Sequence, residues 1–299
     1  MNPKALLVGD NPFHNISHLS QERIRNRGEN ALSEDRAADL VSISLNSGAN
    51  GFMFSVSETT LSILDRLRKR EEIARLSLYP IVPYAYEYVR YATQAGGLTG
   101  LAKRLGRQLL SSWNVGAVAG GLKGVLGMNP EAIMRTYISY EVSRIKSAAG
   151  KDAKIESVLL HEVITDMGLA LNLDWLFEKY SAFLKKNHIA PGFNTCNFPF
   201  LVHKLEEWGI SVDDVVIAAP FNQVGFQMNP SKEACEEAIS HKNGSVTIAI
   251  SVLAAGYLKL SHAVDYIAAL PNIKGVAIGV SKTEHASETF KLIAEKLAT

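Results

Sequence analysis

A closed (β/α)8 barrel is the fold class that the sequence predicts, and three observations point to it. Eight short β-rich apolar runs recur along the chain: ALLVG, GFMFS, LYPIVPYA, VLLHE, APGFNT, VVIAA, VTIAIS and GVAIGV. Each is followed by a longer segment with helical spacing. The runs are apolar throughout rather than alternating, which marks strands buried on both faces, as in a parallel sheet covered by helices. Eight such units suit closure into a barrel, with a doubly wound open sheet as the alternative. The expected organisation is one domain over residues 1–299.

Helix punctuation fits the same plan. Ser33 precedes an apolar-periodic stretch (Ala38, Val41, Leu45) that stops at Gly48, and Ser281 with Glu284 reads as a capping box before the last helix. Asn129-Pro130 and Asn229-Pro230 each offer a cap followed by proline at the first helical position. One unit departs from the repeat. After the third strand comes a helical insertion at about residues 93–128, rich in glycine and carrying Lys103, Arg104 and Arg107. An insertion after a strand C-terminus is expected over the barrel mouth, as a lid or binding loop, or else as an oligomer contact.

Composition narrows the partners. With 31 Lys and Arg against 30 Asp and Glu, the chain has no basic surplus of the kind that drives binding to a phosphate backbone, so nucleic acid is not expected. No apolar run approaches the roughly 20 residues that span a bilayer, so no membrane partner is expected either. Two cysteines, Cys196 and Cys235, lack metal or redox spacing and are too few for a disulfide framework, which fits a reducing cytoplasm. A small molecule is the expected partner.

In barrels of this kind the active site is assembled from loops at the C-terminal ends of the strands. The first such loop runs Asp10-Asn11-Pro12-Phe13-His14 and on to His18, with a carboxylate and two imidazoles close together. The fourth strand ends in His161-Glu162, the fifth in Asn194, Cys196 and Asn197, the sixth in Gln223 and then Gln227, the seventh in Ser251, and the eighth in Ser281-Lys282. A histidine at the end of an apolar strand can present an imidazole to the pocket for acid/base work; the plain alternative for His161 is a hydrogen-bonded core histidine. Asp10 and His14 could pair as carboxylate and imidazole, or Asp10 could close an Asx turn. These four, His161, Asp10, His14 and Glu162, are the catalytic candidates, and Asn11, His18, Asn194 and Gln227 the substrate-binding ones. A three-histidine metal site from His14, His18 and His161 has no recognisable metal motif behind it, and no metal is expected.

At the eighth strand, Gly279 to Glu284 places glycine, serine and lysine just before a helix, where backbone N–H groups and the helix dipole favour an anion such as phosphate; simple capping is the alternative.

The second half of the chain resembles the aldo-keto reductase family. VLLHE resembles the fourth strand that carries that family's pocket histidine, here His161. CNFPF resembles its Ser-Asn-Phe segment, NQV with Asn229-Pro230 its Asn-Gln-Val and Asn-Pro pattern, SVLAAGYL its glycine loop, and IGVSKTEHASET its closing cofactor stretch. The resemblance runs over roughly residues 155 to 295. It implies NADP as cofactor, with nicotinamide contacts at Cys196, Asn197 and Gln223, a loop contact at Ser251, and a 2′-phosphate contact at Ser281 and Lys282. The family's tetrad is largely missing: its aspartate falls near Met53, its tyrosine near Ser57, its lysine in a YPIVPYA run that has none, and its stacking aromatic at Ile250. Tyr84 or Tyr86 could stand in as proton donor.

Three readings of function follow. The first is an enzyme acting on a small carbonyl or hydroxy compound, phosphorylated or not, by lyase or isomerase acid/base chemistry centred on His161. The second is an NADP-dependent oxidoreductase with a non-standard donor. The third is a non-catalytic barrel that binds a nucleotide or a protein partner.

Overall fold

In a computed structural model, residues 5–14, 32–83, 129–241 and 246–297 are described. The strands are β1 (Ala5–Gly9), β2 (Gly51–Ser55), β3 (Ser77–Val82), β4 (Ser157–Leu160), β5 (Ala190–Asn194), β6 (Val216–Pro220), β7 (Val246–Ile250) and β8 (Ile273–Gly279). A two-residue piece, Lys154–Ile155, precedes β4 and pairs with β3 as β4 does, so the two form one strand interrupted at Glu156. All pairings are parallel and follow sequence order around the sheet. β1 pairs with β8 on one side and β2 on the other, and β2 with β3, so the sheet closes. The barrel is thus the arrangement expected of eight apolar runs.

The helices coat the outside. They are α1 (Glu34–Asn46), α2 (Glu58–Lys69), α3 (Pro130–Ala149), α4 (Glu162–Ala170), α5 (Asp174–Lys186), α6 (Phe198–Glu207), α7 (Lys232–Ser240), α8 (Leu260–Ala269) and α9 (Thr283–Leu297). Ser33 caps α1 by accepting from the Arg36 N–H at 3.3 Å, and Gly48 takes a left-handed turn (φ 114°) beyond its end. Asn129 caps α3 with Pro130 following, as expected. Two cap expectations are corrected. Ser231, not Asn229, caps α7, because the chain turns at a cis Asn229–Pro230 bond before the helix begins. At α9 the first intrahelical bond runs from the Ala286 N–H to the Lys282 carbonyl, so Lys282 holds the cap position and Ser281 lies outside it. β3 stops at Val82, short of the run read as strand, since Pro83 has no N–H to continue the ladder. No described helix is long and apolar enough to cross a membrane. The insertion at 93–128, with Tyr84 and Tyr86, lies outside the described residues.

Side chains fill the lumen. Leu7, Met53, Tyr79, Ile81, Leu159, Val216, Ala218 and Ile248 form an inner cluster, distinct from the larger core between sheet and helices. Glycines on the inward face make room for them. A Cβ on Gly192 would lie 2.5 Å from the Ser157 Oγ, 2.8 Å from the Leu159 Cγ and 2.9 Å from the Val158 carbonyl oxygen. Two of these neighbours are strand or branched-chain atoms with little freedom to retreat. Gly192→Ala is therefore expected to destabilise the barrel by about 1–3 kcal/mol, the usual cost of overpacking, seen as a lower urea midpoint at unchanged slope. With its lumen filled, the barrel offers chemistry only at the mouth, where the strands end.

Candidate active site

The β1 end supplies a paired carboxylate and imidazole. After Gly9 the chain makes one 3-10 turn, Asn11–His14, closed by the Phe13 N–H donating to the Asp10 carbonyl at 2.8 Å and anchored by buried Phe13 against Phe52. That turn returns His14 over Asp10, with Nε2 at 3.0 Å from Oδ2. The same Oδ2 accepts from the Ser55 N–H at 2.7 Å. Both side chains are nearly buried, at 7% exposed for His14 and 6% for Asp10. A carboxylate accepts only, so the His14 nitrogen that faces it carries the proton, and in a neutral ring proton acceptance falls to Nδ1. Asp10 thus ties the ends of β1 and β2 together and fixes the His14 tautomer; it is more than a turn residue.

The family's second-strand aspartate is absent from β2, where Met53 points into the lumen cluster and Ser57 caps α2 with Thr60 in a capping box. The Asp10 carboxylate nevertheless reaches the end of that strand, delivered from β1.

His161 closes β4. Its N–H donates to the Val82 carbonyl at 2.8 Å, and its Nδ1 accepts from the Val163 N–H at 3.2 Å, capping α4. A capped Nδ1 carries no hydrogen, so the neutral ring has its proton on Nε2. On β4, Leu159 faces the lumen and alternation places His161 on the same side. Burial holds its pKa below the ordinary histidine value, and the Asp10 carboxylate pulls the other way, which places the two groups within electrostatic reach at the mouth.

At the β5 end, Asn194 is 5% exposed and its Oδ1 has no hydrogen-bond partner among the described residues. The next residues are held by Asp166, which the sequence reading missed. Asp166 accepts from the Thr195 hydroxyl and from the Cys196 N–H at 3.1 Å, and its pKa is raised because burial outweighs these bonds. The Cys196 thiol is pushed up to about 12, first by burial and then by the Glu162 and Asp166 carboxylates, so it is a thiol and not a thiolate nucleophile. The Asn197 side chain accepts from the Phe200 N–H at 3.3 Å as the α6 cap.

The remaining candidates divide. Gln223 is exposed, in a loop clasped by Asn222, whose amide bonds the Phe226 backbone in both directions at 2.8 Å. Ser251 and Gln227 meet, Oγ donating to Oε1 at 3.1 Å, and both have left-handed backbones (φ 53° and 60°). Ser281 is half-buried and Lys282 exposed at the start of α9. Asn11 is exposed. His18 lies outside the described residues, and among those described no cluster of three His, Cys, Asp or Glu could hold a metal.

The structure thus brings Asp10, His14, His161 and Asn194 to one mouth, while Lys282 and Ser281 stand beside it at the end of β8.

No family model matches the sequence, and no curated protein resembles it in sequence. Solved structures do resemble it in three dimensions. An aldo-keto reductase from Pseudomonas aeruginosa superimposes with a TM-score of 0.61 at 13% identity, over 98% of this chain and 90% of that one. One from Bacillus halodurans in its holo form gives 0.56 at 13%, over 98% and 89%. One from Klebsiella pneumoniae, in complex with NADPH, gives 0.53 at 12%, over 100% and 91%. Likeness at such identities speaks for architecture, and with the closed parallel sheet it leads to one conclusion: this chain folds as a (β/α)8 barrel of the aldo-keto-reductase type.

Proposed function

We propose that the chain is an enzyme that moves a proton on a small carbonyl or hydroxy compound at the barrel mouth, in the manner of an isomerase or lyase. The observation that carries this reading is the capped Nδ1 of His161. It fixes a neutral imidazole with its Nε2–H as a donor, at a helix N-terminus and in a buried setting that both disfavour the imidazolium. Such a donor polarises a carbonyl oxygen without giving up a full proton. His14, held by Asp10, is the base. It takes the proton from the carbon beside the carbonyl, the C–H electron pair becomes a C=C bond, and the carbonyl π pair moves onto the oxygen bonded to His161. Where the carbon that lost the proton also bears a hydroxyl, that hydroxyl gives its proton to the former carbonyl oxygen and its O–H pair becomes the new C=O bond. The C=C pair then takes a proton at the former carbonyl carbon, which completes an isomerisation with no electrons gained or lost. The test is proton exchange from small ketones and aldehydes in D2O, followed by NMR. Exchange above the buffer rate supports the reading, and exchange at the buffer rate across the panel overturns it.

A second reading has its own support, in the NADPH complex of a structural neighbour and in Lys282 at the α9 N-terminus. The phosphate end fits a nucleotide. The reacting end does not: no tyrosine or lysine stands on the described lumen-facing strand ends, Tyr79 lies in the lumen near Glu156, and Tyr257 and Lys259 are exposed in the loop after β7. Bound NADP would supply a hydride acceptor; this chain's Lys282 would hold its phosphate. If it binds, millimolar NADP or NADPH raises the melting temperature, by roughly 2.7 kcal/mol of stability at a hundred times Kd, and Lys282→Ala weakens the effect. An unchanged melting temperature removes the oxidoreductase reading.

The single-domain organisation and a cytoplasmic setting belong to the same proposal.

A further inference from the structure

Asn194 is a lumen-side amide at the mouth, and its Oδ1 has no hydrogen-bond partner among the described residues. It pairs in register with Ala218, which belongs to the lumen cluster, and follows Gly192 on the inward face of β5. On its other side Leu160 pairs with Phe193, so the next step of the ladder sets His161 beside Asn194. At 5% exposure its Oδ1 is cut off from bulk water, with no donor in reach among the described residues. A buried carbonyl oxygen without a donor is costly and is not kept by packing alone. Alternation along β5 turns it to the lumen side, on the strand next to the one that ends in His161.

We infer that Asn194 receives a hydroxyl on the carbon next to the carbonyl that His161 polarises, so that the site takes α-hydroxycarbonyl compounds; this rests on the proton-transfer reading above. Adjacent strands lie about 4.8 Å apart, so a donor on one and an acceptor on the next can meet oxygens on neighbouring carbons. The pair is also complementary in kind. The imidazole donates to the carbonyl oxygen, which has only lone pairs, and the amide oxygen accepts from the hydroxyl. Both protein groups are neutral, so the recognised oxygens belong to neutral groups, whatever charge the rest of the molecule bears.

The experiment compares hydroxyacetone with acetone on the wild-type chain, Asn194→Leu and Asn194→Ala. It reads ligand binding by saturation-transfer NMR, exchange in D2O relative to buffer, and the melting temperature. The wild type is expected to favour hydroxyacetone by about 100-fold or more, since a site built around a hydroxyl rejects the analogue that lacks it. Asn194→Leu is expected to abolish that preference by slowing hydroxyacetone far more than acetone. It is also expected to melt higher than the wild type, because it removes an unpaired polar group. Equal treatment of the two ketones by the wild type overturns the inference, as does a leucine variant that melts lower with its preference intact. Binding preference without exchange would uphold the hydroxyl contact and sink the proton-transfer reading; exchange without preference would do the reverse. Should leucine prevent folding, the alanine variant decides.

Discussion

His161→Asn is expected to slow proton exchange by about 10²- to 10⁴-fold while leaving the fold in place, because it removes the imidazole but keeps a good helix cap. The choice of asparagine matters. His161 caps α4 through Nδ1, so alanine would mix lost chemistry with a lost cap, whose cost alone is about 1 kcal/mol. The pH dependence gives a second check. Since burial depresses the folded-state pKa of His161, the unfolded chain takes up this proton first as the solution is acidified. The histidine's contribution to stability is whole above the unfolded value near 6.5 and is lost as pH falls from there through the depressed folded value. Urea titrations over that window should show wild-type stability falling more steeply than that of His161→Asn. Parallel curves would mean that the ring is not held neutral by the fold.

Asp10→Ala carries the second large effect, in stability and rate together. One carboxylate oxygen accepts from both the Ser55 N–H and the His14 ring. Its removal leaves a buried backbone donor at the end of β2 unpaired and lets the imidazole turn. Hydrogen bonds to charged groups are worth about 1.5–3 kcal/mol each, so a loss of at least one such bond is expected in denaturant unfolding. Exchange activity should fall with it, because His14 loses its fixed tautomer. Asp10→Asn separates charge from geometry: its amide oxygen can take both bonds, but the negative charge is gone. The Asp10 charge raises the proton affinity of His161, so in this variant the His161 ring should titrate at still lower pH, observable by NMR. An unchanged titration would place the carboxylate too far away to matter.

Much of this architecture was legible in the residues. The strands were found within a few residues because a strand buried on both faces must be apolar along its whole length, which sets ALLVG and GFMFS apart from any helix nearby. His161 stands out as the polar break at the end of such a run, and Asp10 and His14 pair because a single 3-10 turn brings them together. What stayed hidden depends on distance in sequence. The bond from Ser55 to Asp10 spans 45 positions, so the carboxylate sought on the second strand is delivered by the first. Asp166 reads as a solvated helix residue in EVITDMGLA, and only the fold turns it toward Thr195 and Cys196. The expected cap at Asn229-Pro230 failed for a local reason, since Ser231 offers an equally good cap one step later.

Closure of the sheet has a consequence for how the chain must be made. β1 is paired on one side by β2 and on the other by β8, through a five-residue register from Ala5–Gly275 to Gly9–Gly279. A ribosome delivers the first strand long before its second neighbour. Until residue 279 has emerged, one edge of β1 keeps its amides and carbonyls unpaired beside apolar Leu6 and Val8, the kind of edge that recruits other chains. The nascent barrel therefore stays open along that edge until β8 arrives, and that strand acts as its seal.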